Sequence, residues 1–335
     1  MNTFKNKTIL ITGGTGSFGN KFVEKVLKVN KVKKIIIFSR DEFKQYNMKN
    51  KFNNNKKLRF FIGDVRDNNR LKYALEGVDI VIHAAALKHV PVAEYNPFEA
   101  IQTNIIGAQN LIQASIENKV SKVIALSTDK ACSPLNLYGA TKLASDKLFI
   151  AANNFIGKKK ISFSLVRYGN VIGSRGSVLD VFKKQSSEKK KYFTLTSKSM
   201  TRFFITLDQG VDFVCKCFEL MRGGEVFIPK IPSMKIKDLA SAIDNKIGIK
   251  EIGIRPGEKL DEVMFSKDDS SFVYEFKKYY IIAPSIELNK IQGYKKSIDN
   301  EIGMIIPKNF EYSSNLGQFM TVKEIQIFLK KNNLL

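Results

Sequence analysis

Short apolar runs alternate with amphipathic stretches through the first half of the chain. Each run has four or five residues, is mostly apolar, and is followed by turn-forming or polar residues, which is typical of buried parallel strands. The stretches between them repeat apolar residues every three or four positions, as helices with one buried face do. The pattern predicts an α/β domain with a parallel sheet. Its strands are predicted at 8–11, 34–38, 58–62, 78–82, 123–126 and 163–166.

The alternation of strands and helices loosens after about residue 167. A short helix is predicted to begin at 178–182, and apolar residues at helical spacing around Val211 and Phe218 place Cys215 in a core. Charged side chains occur at 200–203 and 255–259, which we expect to be loops.

A glycine-rich turn follows the first predicted strand and precedes a helical pattern. It contains Gly13, Thr15, Gly16, Ser17, Phe18 and Gly19. Strand, glycine turn and helix in that order form a pyrophosphate site, because backbone N–H groups and the positive helix end face the anion. We therefore expect these six residues to bind a dinucleotide.

The end of the second strand favours NADP over NAD. An NAD site usually has an acidic residue here for the ribose 2′-hydroxyl. This chain has Ser39 and Arg40 instead, and Lys44 lies about one helical turn further on. Their positive charges suit a 2′-phosphate. The alternative is that Arg40 pairs with Asp41 or Glu42.

The ends of the third and fourth strands carry further candidate cofactor residues. Asp64 and Val65 follow the third strand, and Asp64 is placed to meet an adenine amino group. The small residues Ala84, Ala85 and Ala86 follow the fourth strand and would let a cofactor lie close. Lys88 could reach the cofactor or the substrate. A long helix is predicted from about Pro97 to Asn118, and its Asn104 either points at the strand ends or is a surface amide.

The fifth strand ends in Thr128, Asp129 and Lys130, at the edge where open α/β sheets bind ligands. Tyr138 and Lys142 lie four residues apart and share a helix face. An ammonium group beside a phenol favours the phenolate and lowers a pKa that is ordinarily about 10. A tyrosinate can take a proton from a sugar hydroxyl while hydride leaves the same carbon. The alternative for the Tyr138–Lys142 pair is a solvated helix face.

The formal net charge of +23 comes from 55 Lys and Arg residues against 32 Asp and Glu residues. The lysines are scattered through predicted loops, so we expect no nucleic-acid partner and a field that suits an acidic small substrate. Three cysteines without metal-binding spacing fit a reducing cytoplasm, and we expect no metal. We also expect no signal peptide and no membrane span, because no apolar run approaches about 20 residues.

With these motifs, the chain resembles members of the extended short-chain dehydrogenase/reductase superfamily. Within it, the chain is similar to the inverting UDP-N-acetylglucosamine 4,6-dehydratases that open pseudaminic acid biosynthesis. The glycine spacing, which departs from G-x-G-x-x-G, and the Asp129-Lys130 pair, where most sugar-nucleotide 4,6-dehydratases have Asp-Glu, agree with this. The resemblance covers about residues 5–285 and is carried by 12–19, 39–42, 63–67, 83–91, 127–142, 167–177 and 255–259.

The resemblance implies a Rossmann-like, doubly wound parallel sheet with a smaller C-terminal substrate-binding lobe. The implied NADP-binding domain spans residues 1–166. Substrate-binding segments at 167–285 are interleaved with it, and 286–335 is an extension of unknown role. A cytoplasmic homo-oligomer is implied, and the family suggests a hexamer.

The resemblance also implies an internal redox cycle on UDP-GlcNAc. The family's catalytic pattern transfers onto Thr128, Asp129, Lys130, Tyr138 and Lys142. Tyr138, assisted by Lys142, removes the C4 hydroxyl proton as hydride passes to NADP. Lys130 would remove the C5 proton, which requires a neutral amine with a lowered pKa. Protonated Asp129 would assist loss of the C6 hydroxyl. Hydride then returns to C6, and either Lys130 or Tyr138 reprotonates C5, giving UDP-2-acetamido-2,6-dideoxy-β-L-arabino-hexos-4-ulose.

Substrate contacts are assigned by the same resemblance. Arg202 and Arg255 would bind the UDP diphosphate and Glu258 the uridine ribose, with a surface salt bridge as the alternative for each. The remaining substrate candidates are Lys88, Arg167, Asn170 and Ser177. Two other functions stay open: a UDP-sugar 4-epimerase, which needs no acid/base pair at 129 and 130, and a non-catalytic NADP-sensing protein.

Overall fold

The computed structural model describes residues 2–29, 31–174, 176–284, 294–317 and 319–335. The strands are β1 (Thr8–Thr12), β2 (Lys34–Ser39), β3 (Leu58–Ile62), β4 (Ile80–His83), β5 (Lys122–Thr128), β6 (Ser162–Tyr168), β7 (Asn170–Ile172), β8 (Tyr192–Leu195), β9 (Thr201–Thr206), β10 (Val226–Pro229), β11 (Ser233–Lys235), β12 (Gly248–Glu251), β13 (Val263–Phe265), β14 (Val273–Glu275), β15 (Tyr279–Ile282), β16 (Met304–Ile305) and β17 (Tyr312–Ser313). The α-helices are α1 (Ser17–Val29), α2 (Glu42–Lys51), α3 (Asn68–Ala74), α4 (Val90–Tyr95), α5 (Pro97–Ile101), α6 (Gly107–Glu117), α7 (Leu137–Ala152), α8 (Val178–Ser187), α9 (Leu207–Leu220), α10 (Ile236–Ile243) and α11 (Val322–Lys331).

A twisted central sheet organises the chain. Within the described residues it has ten strands in the order β16-β14-β15-β10-β6-β5-β4-β1-β2-β3. The strands from β10 to β3 run parallel, whereas β15, β14 and β16 add antiparallel pairs at one edge. The order β3-β2-β1-β4-β5-β6 is that of a doubly wound fold, which opens a crevice between β1 and β4. The six strands and the fold class predicted from the sequence are confirmed.

Helices cover both faces of the sheet, which is why its inner strands are apolar on both sides. On one face, Phe22 and Val26 of α1 pack with Phe218 of α9. On the other, Leu111 of α6 and Phe149 of α7 belong to a second buried cluster. Each cluster contains alternate residues of the same strands. Packing against helices on both faces therefore fixes the positions of the strands.

A smaller lobe has its own buried cluster beside the carboxyl edge of the sheet. Phe182 of α8, Phe193 of β8, Phe204 of β9, Leu239 of α10 and Leu329 of α11 belong to it. A three-stranded sheet, β11-β9-β7, and the pair β12-β8 frame this cluster. Because β10, β14 and β15 return to the central sheet between the segments of the lobe, the two parts of the fold are interleaved.

Three details differ from the sequence-based picture. The stretch predicted as a loop at 200–203 instead enters β9, because its side chains pack into both lobes. The long helix predicted at about 97–118 is divided by a π-helical turn at Gln102–Ile106. The C-terminal residues are not a separate extension, since β16 and β17 pair with β14 and β13 and α11 packs on α10. The predicted boundary at 285–286 lies outside the described residues.

The three cysteines are buried, Cys215 and Cys217 in the core between α9 and the sheet. In the part of the chain that the structure describes, no helix is both long and apolar enough to cross a membrane.

Candidate active site

A cavity of about 740 Å³ opens at the carboxyl ends of the parallel strands, between the sheet and the smaller lobe. The crossover between β1 and β4 creates this opening, and the loops after five strands line it. Most candidates named from the sequence meet here: Gly13, Thr15, Gly16, Ser17, Phe18, Ser39, Arg40, Lys44, Asp64, Val65, Ala84, Ala85, Ala86, Lys88, Thr128, Asp129, Lys130, Tyr138, Lys142, Asn170 and Ser177. Residues distant in sequence are therefore brought into one site.

The glycine turn after β1 has the close approaches that a pyrophosphate cradle requires. Gly13 has a φ of +62°, and a Cβ there would lie 2.9 Å from the backbone N and Cα of Ala85. Gly19 is not among the described residues that line the cavity. It allows α1 to pack on the turn, since a Cβ at Gly19 would lie 2.0 Å from the carbonyl oxygen of Gly14. The turn and the N-terminus of α1 fit a dinucleotide phosphate.

The end of β2 combines exposed basic groups with carboxylates. The Arg40 guanidinium is about half exposed and lies 3.4 Å from Asp64, while Lys44 lies 2.7 Å from Asp41. The expected alternative partners of Arg40, Asp41 and Glu42, are therefore not its observed partner. Asp64 also accepts hydrogen bonds from Arg66. Although burial raises the pKa of Asp64, the bonds from Arg66 and the charge of Arg40 hold it below its usual value.

The alanine segment after β4 is fixed by a buried hydroxyl. Thr12 Oγ1 accepts hydrogen bonds of 3.2 Å from the N–H groups of Ala84 and Ala85 and lies 2.8 Å from His83 Nδ1. Burial and the charge of Lys142 lower the pKa of His83 to about 3, so the imidazole is neutral. The Thr12 hydroxyl is then free to donate to Nδ1, which leaves the hydrogen of His83 on Nε2.

The Asn104 side chain links the segment after β4 to helix α7. Its side chain accepts from Leu87 N at 2.8 Å and donates to Leu87 O and to Thr141 Oγ1, each at 3.0 Å. It is buried, so the surface-amide alternative is wrong. By holding the segment before Lys88 against α7, Asn104 joins the cofactor side of the cavity to the helix that carries Tyr138.

The candidate acid/base groups lie where β5 ends in a short 3-10 turn, Asp129–Ala131. Thr128 Oγ1 donates to Asp129 Oδ1 at 2.9 Å, and Lys130 Nζ donates to the same oxygen at 3.1 Å. Among the described residues, none makes a hydrogen bond to Asp129 Oδ2, although that oxygen is buried. Asp129 therefore has one oxygen held by the protein and one that is buried without a hydrogen-bond partner in the described residues.

Tyr138 differs from its expected ionisation. Burial raises the pKa of the Tyr138 phenol to about 12, and the charge of Lys130 and the hydroxyl of Thr128 offset this only in part. Lys142 does not lower it as expected. Burial lowers the pKa of Lys142 itself, and its Nζ donates to the carbonyl oxygen of Leu126 at 2.8 Å. In this structure Tyr138 is a neutral phenol at pH 7.

The expectation of a neutral Lys130 is also wrong for this structure. Its ammonium group lies 3.1 Å from Asp129 and 2.9 Å from Glu262 Oε1. Burial lowers the pKa of Lys130, but the two carboxylate charges outweigh burial and raise that pKa above its ordinary value. Lys130 is therefore charged at rest.

Glu262 is a site residue that the sequence reasoning missed. It precedes β13, is almost fully buried, and its Oε1 lies 2.9 Å from Lys130 Nζ, which also contacts Asp129. Arg202 Nε lies 3.7 Å from the same carboxylate oxygen. The available signal was the acidic pair at 261–262, separated by one residue from the 255–259 motif, but nothing local shows which of the two turns inward.

Four expected substrate residues are not among the described residues that line the cavity: Arg167, Arg202, Arg255 and Glu258. Arg167 is buried, pairs with Asp146 at 3.2 Å, and donates to Met264 O at 2.8 Å. Arg202 donates to the carbonyl oxygens of Thr201, Leu260 and Lys259. These bonds make both arginines part of the framework, which corrects their placement at the substrate.

Arg255 is exposed, and its N–H lies 3.4 Å from Glu258 Oε2 in a loop, as the sequence predicted for 255–259. The loop is tied to the start of α7, because Asn136 donates to Gly257 O at 2.7 Å and Lys259 donates to Cys132 O at 2.9 Å. It therefore has a fixed position near the cavity mouth.

Comparisons with known proteins identify the family of the chain. A family described as "Polysaccharide biosynthesis protein" matches residues 9–284. The UDP-N-acetylglucosamine 4,6-dehydratase (inverting) of Campylobacter jejuni strain 81-176 is 57% identical over 324 residues, which cover 96% of this chain and 97% of that protein. The UDP-glucose 4-epimerase of Rickettsia prowazekii is 46% identical over 333 residues, covering 97% and 96%.

A solved structure is similar over the whole fold. The X-ray structure of Pen from Bacillus thuringiensis superposes with a TM-score of 0.90 at 36% sequence identity, covering 99% of this chain and 100% of that one. The smaller lobe and the C-terminal residues are thus part of the shared architecture.

The placement of Arg167 leads to a stability prediction. Arg167→Met leaves the buried Asp146 carboxylate without its cation, which should cost about 3–5 kcal/mol in the free energy of unfolding. The double variant Arg167→Met/Asp146→Asn should recover part of this loss, since the uncompensated charge is removed. Denaturant titration measures both. Unchanged stability with a raised substrate KM would instead return Arg167 to the substrate-binding residues.

Proposed function

The chain belongs to the polysaccharide biosynthesis protein family, within the extended short-chain dehydrogenases/reductases, and we propose that it is an inverting UDP-N-acetylglucosamine 4,6-dehydratase. The observation that carries this proposal is the Asp129–Lys130 pair in the same cavity as Tyr138. Oxidation of a sugar hydroxyl requires a group such as Tyr138. Elimination of water from the neighbouring carbons requires a further base and acid.

A nicotinamide dinucleotide fits the cradle around Gly13 and the small residues Ala84 to Ala86. When bound, it supplies a reversible hydride acceptor, and in its oxidised form a positive charge that lowers the pKa of a nearby phenol. We assign the glycine turn to its pyrophosphate and the end of β2 to its adenosine ribose. The exposed Arg40 and Lys44 favour NADP, because both present cations where an NAD site has a carboxylate.

The protein's side chains divide the proton transfers between them. Tyr138, with Thr128 beside it, takes the proton of the sugar C4 hydroxyl. Lys130 takes the C5 proton, which the 4-ketone has made acidic. Asp129 gives a proton to the departing C6 hydroxyl, for which Oδ2 is suited because no described residue makes a hydrogen bond to it. Elimination removes water across C5 and C6. The hydride taken from C4 would then return to C6 and a proton to C5, so that the net change is loss of one water molecule, with a ketone at C4 and a methyl group at C6.

Substrate contacts follow from what lines the cavity. We assign Lys88, Asn170 and Ser177 to the UDP-sugar, since all three face the cavity beyond the catalytic groups. Arg255 and Glu258 are proposed to reach the UDP moiety from their loop. The name of the Campylobacter relative supports inversion at C5, and the resemblance places the product at the entry to pseudaminic acid biosynthesis. The homo-oligomeric state and the cytoplasmic location stay predictions.

A 4-epimerase is the second candidate, because the Rickettsia relative bears that name. Incubation with UDP-GlcNAc or UDP-glucose, followed by proton NMR, separates the two. A dehydratase acting on UDP-GlcNAc forms a C6 methyl group, since the C6 hydroxyl is lost. An epimerase keeps that hydroxyl and inverts C4. We expect the methyl signal with UDP-GlcNAc, and the appearance of a C4 epimer without it would reject the dehydratase.

Replacement of Arg40 tests the cofactor assignment. Arg40→Ala should weaken NADP by about tenfold or more, since a charge-assisted hydrogen bond contributes roughly 1.5–3 kcal/mol. Binding of NAD should change little. Titrations of both cofactors measure this, with Arg59→Ala as a control, because Arg59 is an exposed arginine on β3 that, in the described part of the chain, bonds the backbone carbonyls of Lys56 and Leu58. Equal losses for both cofactors would contradict a 2′-phosphate contact.

A further inference from the structure

Lys130 lies between two carboxylates that face different surroundings. Asp129 lines the cavity, whereas Glu262 is not among the described residues that do so. The Lys130 Nζ atom contacts both, at 3.1 Å to Asp129 Oδ1 and 2.9 Å to Glu262 Oε1. A proton can therefore move between the two carboxylates through one amine, without crossing solvent.

The charged groups around Glu262 come from two elements. Asp129 and Lys130 face it from the turn after β5, and Arg202 faces it from β9. Arg202 Nε is 3.7 Å away, beyond hydrogen-bond distance, and its Nη atoms donate to backbone carbonyls. The backbone N–H of Glu262 donates to Ser314 Oγ at 2.9 Å, which fixes the position of the residue.

The Glu262 carboxylate is poorly compensated as an anion. In the described part of the chain, its Oε2 atom is buried without a hydrogen-bond partner. A buried anionic oxygen without a donor is costly, and protonation of the group reduces that cost. Burial and the charge of Asp129 raise the pKa of Glu262 despite the nearby charges of Lys130 and Arg202. The group is thus suited to hold a proton part of the time.

We propose that Glu262 accepts a proton from Lys130 Nζ, so that the neutral amine can take the C5 proton, and returns it through Lys130 to Asp129. This inference rests on the proposed dehydration. The cycle starts with Asp129 protonated as the acid, Lys130 as an ammonium group and Glu262 as a carboxylate. Lys130 first passes one proton to Glu262 Oε1. The amine then takes the C5 proton, and the C–H electron pair forms the enolate of the 4-ketone.

The second half of the sequence restores the starting state. As the enolate collapses, a C5–C6 double bond forms and the C6–O bond breaks. The leaving oxygen takes the proton of Asp129 and departs as water. Lys130 then gives a proton to Asp129 and regains one from Glu262. All three groups return to their initial protonation, so no external acid or base is consumed.

The test measures cleavage of the C5–H bond separately from oxidation. UDP-GlcNAc deuterated at C5 is given to the holoenzyme, and release of deuterium to water is followed together with the absorbance of reduced nicotinamide. Glu262→Gln keeps the shape and an oxygen acceptor but cannot take the proton. At neutral pH it should reduce deuterium release by about 100-fold or more, the range of a general base, and leave oxidation intact.

The pH dependence distinguishes a relay from a structural role. In the wild type, moving a proton from Lys130 to Glu262 leaves their total protonation unchanged, so deuterium release should vary little around neutral pH. In Glu262→Gln, Lys130 must lose its proton to solvent. Deuterium release should therefore rise about tenfold per pH unit below the pKa of Lys130. A structural defect would lower oxidation and deuterium release together at every pH.

Asp261→Asn is the matched control. This neighbouring carboxylate bonds Thr201 and Asn315 and makes no recorded contact with Lys130 in the described residues, so its loss should leave deuterium release near the wild-type rate. Wild-type release by Glu262→Gln at neutral pH would overturn the relay and leave direct transfer from Lys130 to Asp129. Failure of the wild type to form the C6 methyl group would instead reject the proposed function.

Discussion

The active site depends on pairing charges that the fold has removed from water. Asp129 and Glu262 are almost fully buried, and each is stabilised by the same ammonium group of Lys130. Removal of one partner from such a group costs about 3–5 kcal/mol, because the remaining charge is left uncompensated. The turn after β5, strand β9 and the segment before β13 are therefore held in one arrangement by this cluster of charges.

The cluster also explains why C-terminal residues belong to the fold. Ser314 accepts from the N–H of Glu262 and lies 2.7 Å from Thr201 Oγ1, next to Arg202. The pairing of β17 with β13 brings Ser314 to this position. A change near residue 314 can thus affect Lys130 without touching the cavity.

Regular elements and strand-end residues were predictable because their signals are local. The apolar runs, the glycine turn and the spacing of Tyr138 and Lys142 each lie within a few residues, and a doubly wound sheet brings strand ends together. The distant partners were not predictable: Glu262 lies 132 residues from Lys130, Asp146 lies 21 residues from Arg167, and Leu260 lies 58 residues from Arg202. The predicted ionisation states of Tyr138 and Lys130 were wrong for the same reason. Burial raises the pKa of Tyr138, and a carboxylate distant in sequence helps to raise the pKa of Lys130.

In the proposed mechanism, oxidation and elimination are assigned to different groups in one cavity. A single turnover of UDP-GlcNAc by the double variant Asp129→Asn/Lys130→Met tests this division, because the variant removes the acid and the base of elimination together. The absorbance of reduced nicotinamide and the C6 methyl signal are followed in the same sample. Reduced nicotinamide should accumulate and no methyl group should form, because Tyr138 remains and the second acid/base pair is gone. Methyl formation at the wild-type rate, or the absence of any reduced nicotinamide, would contradict this division.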